Sequence, residues 1–427
     1  MEEFKERLKQ FWNIPISLKA LYFLLFLTFG DTIVYFLLPI INSFGLSNSA
    51  YNLISIFWII GIYFCLSLIF KAIRLIDIVA YLAVCSFYYL SPTIYPMSRI
   101  FVESTFSSFA LNKLPFYFLA LMINFHRDKN ALAIISKLQL VMTAFFVLLS
   151  LVGLVNISAS RENMASSYAV LFPTMFLFYI FSRTQSKIDL IFFILGVFLI
   201  LVFGTRGPLL CLIIYLLVYL FHNYKHNTVV SINILLGIGF VYIFLRPIVL
   251  VLMFLTKMVG LSTRIFESFL DEELFNYESS SGRDEIHELL WNYIINDQGG
   301  IGYGLGSDRL MGRTGTEYAH NIVYEIWMDF GIYFGSLLLF LLALLFVFSL
   351  KKAYRSEDYY FLLILFVFSI IREFLSSSYL QDYQFYFFIG FCVNILRSHD
   401  NSVLESNDEN YFIVSTDSNI DTPIKLM

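Results

Sequence analysis

Long apolar runs separated by short polar joints dominate this chain. A transmembrane helix needs about 20 mostly apolar residues. Measured with that ruler, the pattern predicts twelve spans, near residues 18–38, 51–70, 75–93, 106–125, 133–154, 168–182, 188–204, 207–222, 229–250, 321–350, 359–375 and 383–396. Only Gly204-Thr205-Arg206-Gly207-Pro208 separates the seventh span from the eighth. Such a break predicts a short turn facing a cavity, because lipid cannot satisfy the freed backbone groups. The expected fold is all-α, a polytopic membrane protein of about twelve transmembrane helices, with one large loop that contains helices of its own.

That loop is residues 251–320. It carries five basic side chains (Lys257, Arg264, Arg283, Arg309, Arg313) and eleven acidic ones. Connections that long are functional when ordered. After Ser279-Ser280-Ser281-Gly282 comes RDEIHELLWNYII, with Asp284 and Glu285 where a helix N-terminus favours negative charge. Ile286, Leu289, Leu290, Tyr293 and Ile294 repeat at helical spacing, so 283–296 reads as an amphipathic helix lying on an apolar surface. Gly299 to Gly306 then reads as a flexible stop that lets the chain turn back. No strand precedes these glycines and no Lys-Ser/Thr follows, so a nucleotide loop does not fit.

Composition removes the soluble alternatives. The chain has 427 residues, 59% of them hydrophobic and 14% charged, with a mean hydropathy of +0.74. An ordinary soluble domain is about 25% charged. A soluble enzyme and a disordered protein are therefore excluded. So is nucleic acid as a partner, since the net charge is −4 and no basic face exists. Cys65, Cys85, Cys211 and Cys392 lie far apart in apolar runs and read as small buried hydrophobes. The mixed-charge start MEEFKERLKQFW leads into a run long enough to span, so no cleavable signal is expected.

Charge placement orients the map. With the N-terminus inside, the cytoplasmic segments hold sixteen Lys and Arg near span ends, from Lys5, Arg7 and Lys9 to Lys351, Lys352, Arg355 and Arg397. The short outer segments hold four: Arg99, Arg161, Arg206 and Arg372. That bias predicts both termini in the cytoplasm and the long loop outside. The organisation expected is a membrane domain 1–250 with nine spans, the outer loop 251–320, a membrane domain 321–397 with three spans, and a disordered cytoplasmic tail 398–427.

Few residues remain to carry chemistry. Of six histidines, only His287 and His320 fall outside. His320 stands where the loop re-enters the membrane, and a near-neutral imidazole there suits a general base. The competing reading is an interfacial His that caps the tenth span. Arg206 sits in the tight break and Arg283 opens the amphipathic helix, flanking its buried side. Two guanidiniums aimed at an outward cavity fit a phosphate or pyrophosphate, although each alone fits a lipid-headgroup anchor. Asp31, Asp77, Lys113 and Asp189 fall within spans, where charge is costly and often functional. Of these Lys113 is nearest mid-span, in a run broken at Pro115. His287, Arg309 and Lys113 are secondary candidates.

The segments GTRGPLL, SGRDEIHELLW, GGIGYGLGSDR and AHNIVYEIWMDFGIYFGSLL, in that order, resemble the O-antigen ligase/polymerase superfamily of bacterial inner-membrane glycosyltransferases. The resemblance covers roughly residues 200–345. It implies a multi-span protein with one large periplasmic loop, whose working residues match Arg206, Arg283 and His320 here. It further implies an undecaprenyl-pyrophosphate-linked oligosaccharide as donor and acceptor, in contact with membrane lipids, with a chain-length regulator protein as a further partner. The implied chemistry is inverting and metal-independent, with no cofactor: His320 takes the acceptor's proton and the arginines hold the pyrophosphate leaving group.

The family contains polymerases and ligases. An Arg followed eleven positions later by Gly marks some polymerases, and Leu217 and Ile294 stand at those positions here. The GTRGP break and the Phe/Tyr/Ile-rich composition look more like those of the family's polymerases, so the resemblance leans to a polymerase, with a ligase acting on lipid A-core as the alternative. A flippase for lipid-linked sugars suits twelve spans equally but does not need the long loop. A structural scaffold does not need the outer Arg/His set.

Overall fold

The computed structural model describes residues 73–152, 160–203, 205–223, 283–296, 300–311, 318–354 and 356–412, and a few single positions besides. Every regular element among them is helical. In chain order they are α1 (Leu75–Ile94), α2 (Arg99–Ser108), α3 (Pro115–Ala120), α4 (Phe125–Leu151), α5 (Ser160–Thr184), α6 (Lys187–Val202), α7 (Arg206–Asn223), α8 (Arg283–Asn296), α9 (Ser307–Met311), α10 (Ile322–Ala353), α11 (Asp358–Phe366), α12 (Arg372–Leu375) and α13 (Tyr383–Phe412). Single π-helical turns, Phe109–Lys113 and Val367–Ile371, join α2 to α3 and α11 to α12.

Five of the described helices are long and apolar enough to cross a membrane: Leu75–Ile94, Phe125–Ser150, Met164–Thr184, Arg206–Asn223 and Ile322–Ala353. The expected span 18–38, and almost all of 51–70 and 229–250, lie outside the described residues. Asp31 lies there too. Span 106–125 is helical in pieces. The Leu114 N–H closes a wide turn onto the Phe109 carbonyl at 3.0 Å. Pro115, which has no N–H to give, then starts α3. Span 188–204 is the 16-residue α6, and 359–375 is divided by its π turn. Helix α13 continues past Arg397 into the segment expected to be a disordered tail, and residues 413–427 lie outside the described residues.

Helices joined by short connections run antiparallel, as Gln139 bonded to Ala169 and Gly196 beside Thr174 show, and the bundle has two ends. At one end α3 meets α4, α5 meets α6, and α10 meets α11. Ion pairs staple this end: Lys129 to Glu357 at 2.7 Å, Lys137 to Asp189 at 2.5 Å, and Arg397 to Asp77 at 2.8 Å. Asp77 and Asp189 are therefore buried partners of basic residues at this end. Between the ends lies an aromatic core. Phe125 stacks on Phe361 with ring centres 4.5 Å apart, Phe346 on Phe366 at 4.2 Å, and Tyr179 on Tyr360 at 5.3 Å. The outward faces of α1 and α10 expose Leu82, Phe87 and Leu90, and Phe334, Leu337 and Phe348. Apolar surface of that extent fits lipid and not water.

At the other end, here called the loop end, residues 300–311 pack over the start of α2 and the first turns of α10. Helix α8 buries Leu290 and Ile294 against Ala319 and Met328, with Tyr303, Tyr324 and Trp327 around them. Its apolar stripe thus packs on the first turns of α10.

Candidate functional site

The glycine-rich segment is not a slack stop. It lies along α10 as a close-packed strap. Tyr303 N–H donates to the Met328 carbonyl at 2.8 Å and Gly304 N–H to that of Asp329 at 3.1 Å. α10 breaks there: Gly331 has φ 75°, ψ 164°. A Cβ on Gly302 would lie 2.4 Å from the Gly331 nitrogen, and one on Gly331 would lie 2.0 Å from the Gly300 carbonyl oxygen. Only glycine on both chains permits this approach.

The strap delivers Asp308 and Arg309 into a buried polar assembly. Arg309 donates from Nη2 to Ser378 Oγ at 2.5 Å and to Glu325 Oε1 at 3.3 Å. Its guanidinium lies over the rings of Phe101, at 4.6 Å, and Tyr318, at 5.6 Å. Glu325 also accepts from the Ser378 hydroxyl and the Tyr379 N–H. One helical turn on, Asp329 accepts from the Tyr379 hydroxyl at 2.6 Å and from Gly306 N–H at 2.9 Å. Beside this group Arg372 pairs with Asp382 at 3.2 Å and lies 4.5 Å over the Tyr168 ring. Asp308, Glu325, Asp329 and Glu373 are each 0–1% exposed. Carboxyls thus outnumber guanidiniums, and Arg309 and Arg372 are committed to them. Burial pushes the Asp308 carboxyl above its usual range, against the opposing pull of Arg309 and the Ala319 N–H. Burial likewise pushes the Tyr318 phenol up to about 12.

His320 stands at the rim of this assembly, on a left-handed backbone with φ 52°. That region disfavours any residue with a Cβ. It is not the cap of α10. Asn321 fills that role, its Oδ1 accepting from Val323 N–H at 2.9 Å. The His320 ring lies 4.1 Å from the Tyr318 ring. Two bonds hold the backbone of Ala319, one on each side of its Cα. Asp308 Oδ2 accepts from the Ala319 N–H at 2.8 Å, and His287 Nε2 lies 2.9 Å from the Ala319 carbonyl oxygen.

Arg206 is the first residue of α7 and is exposed. Pro208 follows in the first turn, where no N–H is needed. Gly207 touches the Tyr168 hydroxyl, which is hydrogen-bonded to Ser376 Oγ. The Ser376 carbonyl in turn accepts from Tyr318. Arg206 and His320 therefore belong to one end of the bundle, linked through Tyr168, Ser376 and Tyr318. Arg283 begins α8 one turn before His287, so its backbone reaches the same end; its side chain lies outside the described residues. Lys113 is set on the π turn after α2, its Nζ 5.8 Å from the centre of the Tyr383 ring.

Glu325, Asp329, Glu373, Asp382 and Ser376–Ser378 are the members that sequence reasoning passed over. Glu325 and Asp329 carried a signal: two acids one turn apart at the head of an apolar run. Among the described residues no group of three or more His, Cys, Asp or Glu side chains is arranged to hold a metal ion. No protein-family model, curated protein or solved structure matches this chain.

Proposed function

We propose that this protein is a membrane glycosyltransferase that joins undecaprenyl-pyrophosphate-linked repeat units at the periplasmic face of the bacterial inner membrane, with twelve spans and both termini cytoplasmic. The observation that carries the reading is the grouping of His320, Arg206 and the start of α8 at one end of an apolar bundle, with His320 on a strained backbone. Strain of this kind gathers at working sites. The opposite end holds Lys129, Lys137, Lys352 and Arg397, which favours a cytoplasmic assignment for it. Arg309 and Arg372 are paired with carboxylates, so the pyrophosphate is left to Arg206, Arg283 and the N-terminus of α7.

In the reaction His320 accepts the proton of an acceptor hydroxyl. That oxygen bonds to the anomeric carbon of the donor sugar, and the bond from that carbon to pyrophosphate breaks. Undecaprenyl pyrophosphate leaves with its new negative charge facing the arginines. A chain-length regulator would act on the grown product.

The test is an assay of purified protein with lipid-linked repeat unit alone. A glycan ladder is expected from the wild type, persisting in chelator, and no ladder from Arg206→Ala, Arg283→Ala or His320→Ala. Wild-type ladders from all three variants overturn the assignment of these residues. Product formed only when lipid A-core is supplied replaces polymerase by ligase. Transport of lipid-linked sugars gains some support from the carboxyls buried near membrane depth. They gather at one end and are bonded to Arg309, Ser378 and Tyr379, whereas a transport path needs polar groups along its length.

A further inference from the structure

The left-handed backbone at His320 needs a cause. Its own sequence supplies none, since neither glycine nor a turn motif is present. The cause lies in the backbone of the preceding residue, Ala319, whose two flanking peptide units are each gripped by an element distant in sequence. From the strap, Asp308 Oδ2 accepts the Ala319 N–H at 2.8 Å. From α8, His287 Nε2 donates to the Ala319 carbonyl across 2.9 Å. Each arm is itself held. Asp308 is 1% exposed. The His287 ring stacks on Tyr324 with centres 4.8 Å apart and planes 14° from parallel. Ala319 is 1% exposed and packs with Leu290, Ile294 and Met328. The peptide units on both sides of the Ala319 Cα are therefore held in orientation, and His320 makes the turn that connects them to the capped start of α10 at Asn321.

We propose that Asp308 and His287 are positioning residues for His320, acting through the backbone of Ala319. This rests on the reading of His320 as the base. Proton abstraction demands alignment within a few tenths of an ångström, and the clamp supplies it without touching substrate. It also gives α8 a purpose. The helix that starts with Arg283 carries His287 one turn later, so the seating of the helix and the aim of the base are set by one contact.

The experiment uses the full-length protein in two parallel readouts. The first is amide hydrogen exchange over residues 318–321, which needs no activity. The second is the rate of ladder formation, separated into kcat and KM. His287→Ala and Asp308→Ala are expected to raise exchange, and to lower kcat by about 10- to 100-fold with KM little changed. His287→Gln keeps an N–H donor and Asp308→Asn keeps an oxygen acceptor. Both are expected to recover most of the protection and most of the rate. Should one alanine variant fail to fold, the remaining alanine/conservative pair decides. Unchanged exchange in the alanine variants overturns the clamp. Raised exchange with unchanged kcat overturns its role in positioning. A wild type that makes no ladder, with exchange responding as described, overturns instead the function on which the role rests.

Discussion

The hydroxyl of Tyr318 donates to the backbone carbonyl of Ser376 at 2.5 Å, across 58 positions of sequence. That contact ties the residue whose ring lies against His320 to the turn after α12, and the same turn is hydrogen-bonded through Ser376 Oγ to Tyr168, which touches Gly207. The exposed arginine at the start of α7 and the histidine at the loop exit are thus two ends of one short chain of contacts.

The first prediction probes the middle of that chain. A Cβ at Gly207 would lie 2.3 Å from the Tyr168 hydroxyl oxygen, and Tyr168 is held by Ser376 and by Arg372 over its ring. Gly207→Ala should destabilise by about 1–3 kcal/mol through overpacking. Tyr168→Phe removes the offending atom, so the double variant should recover part of that loss, a coupling of about 1 kcal/mol. Melting temperatures of the four proteins in detergent check this, and strict additivity would refute the contact.

The second concerns the buried arginine. Arg309→Met leaves Glu325 without its cation, with the neutral Ser378 and Tyr379 as remaining donors. An uncompensated buried charge costs about 3–5 kcal/mol. Adding Glu325→Gln removes that charge and should return at least half of the stability. If the single variant melts like the wild type, Arg309 is not the cation that Glu325 requires.

These residues mark where sequence reading stops. Breaks at Pro115 and at Gly204–Pro208 are legible because proline and glycine act locally. The apolar stripe of α8 is legible because Leu290 and Ile294 repeat at helical spacing. The kink at Gly331 is not. It falls inside the span predicted at 321–350, and the carbonyl of Gly300 that packs against it lies on another segment. Nor does any local pattern announce that Ser378 meets Glu325, or that Asp308 meets Ala319. Candidate residues stand out because charge is scarce here. Their supporting contacts do not, because those are made across tens to hundreds of residues.

The third prediction concerns pH at the opposite end. Burial alone would raise the Glu357 carboxyl; hydrogen bonds from Lys129 and His126 outweigh it and hold the group below its ordinary 4.5. A depressed folded value means that ionised Glu357 stabilises the fold at pH above the ordinary value. That contribution is lost as pH falls from about 4.5 through the depressed value. The melting temperature of Glu357→Gln should therefore be lower than that of the wild type at neutral pH, and the gap should close in acid. A constant gap across the titration would assign the effect to shape rather than charge.

The fourth separates stability from function at His320. A left-handed backbone costs a residue with a Cβ about 1–2 kcal/mol, and glycine almost nothing. His320 has φ 52°, and its ring contact with Tyr318 is modest compensation. His320→Gly should therefore melt higher than His320→Ala, by about 1 kcal/mol of stability, and at or near the wild type. Both should leave the ladder absent, because neither restores a proton acceptor. If glycine proves no better than alanine, the strain is not carried by this residue. If the glycine variant extends glycans at the wild-type rate, the imidazole is not the base. The expected pair of results, stability kept and transfer lost, is the signature of a residue held in an unfavourable conformation for its chemistry rather than for the fold.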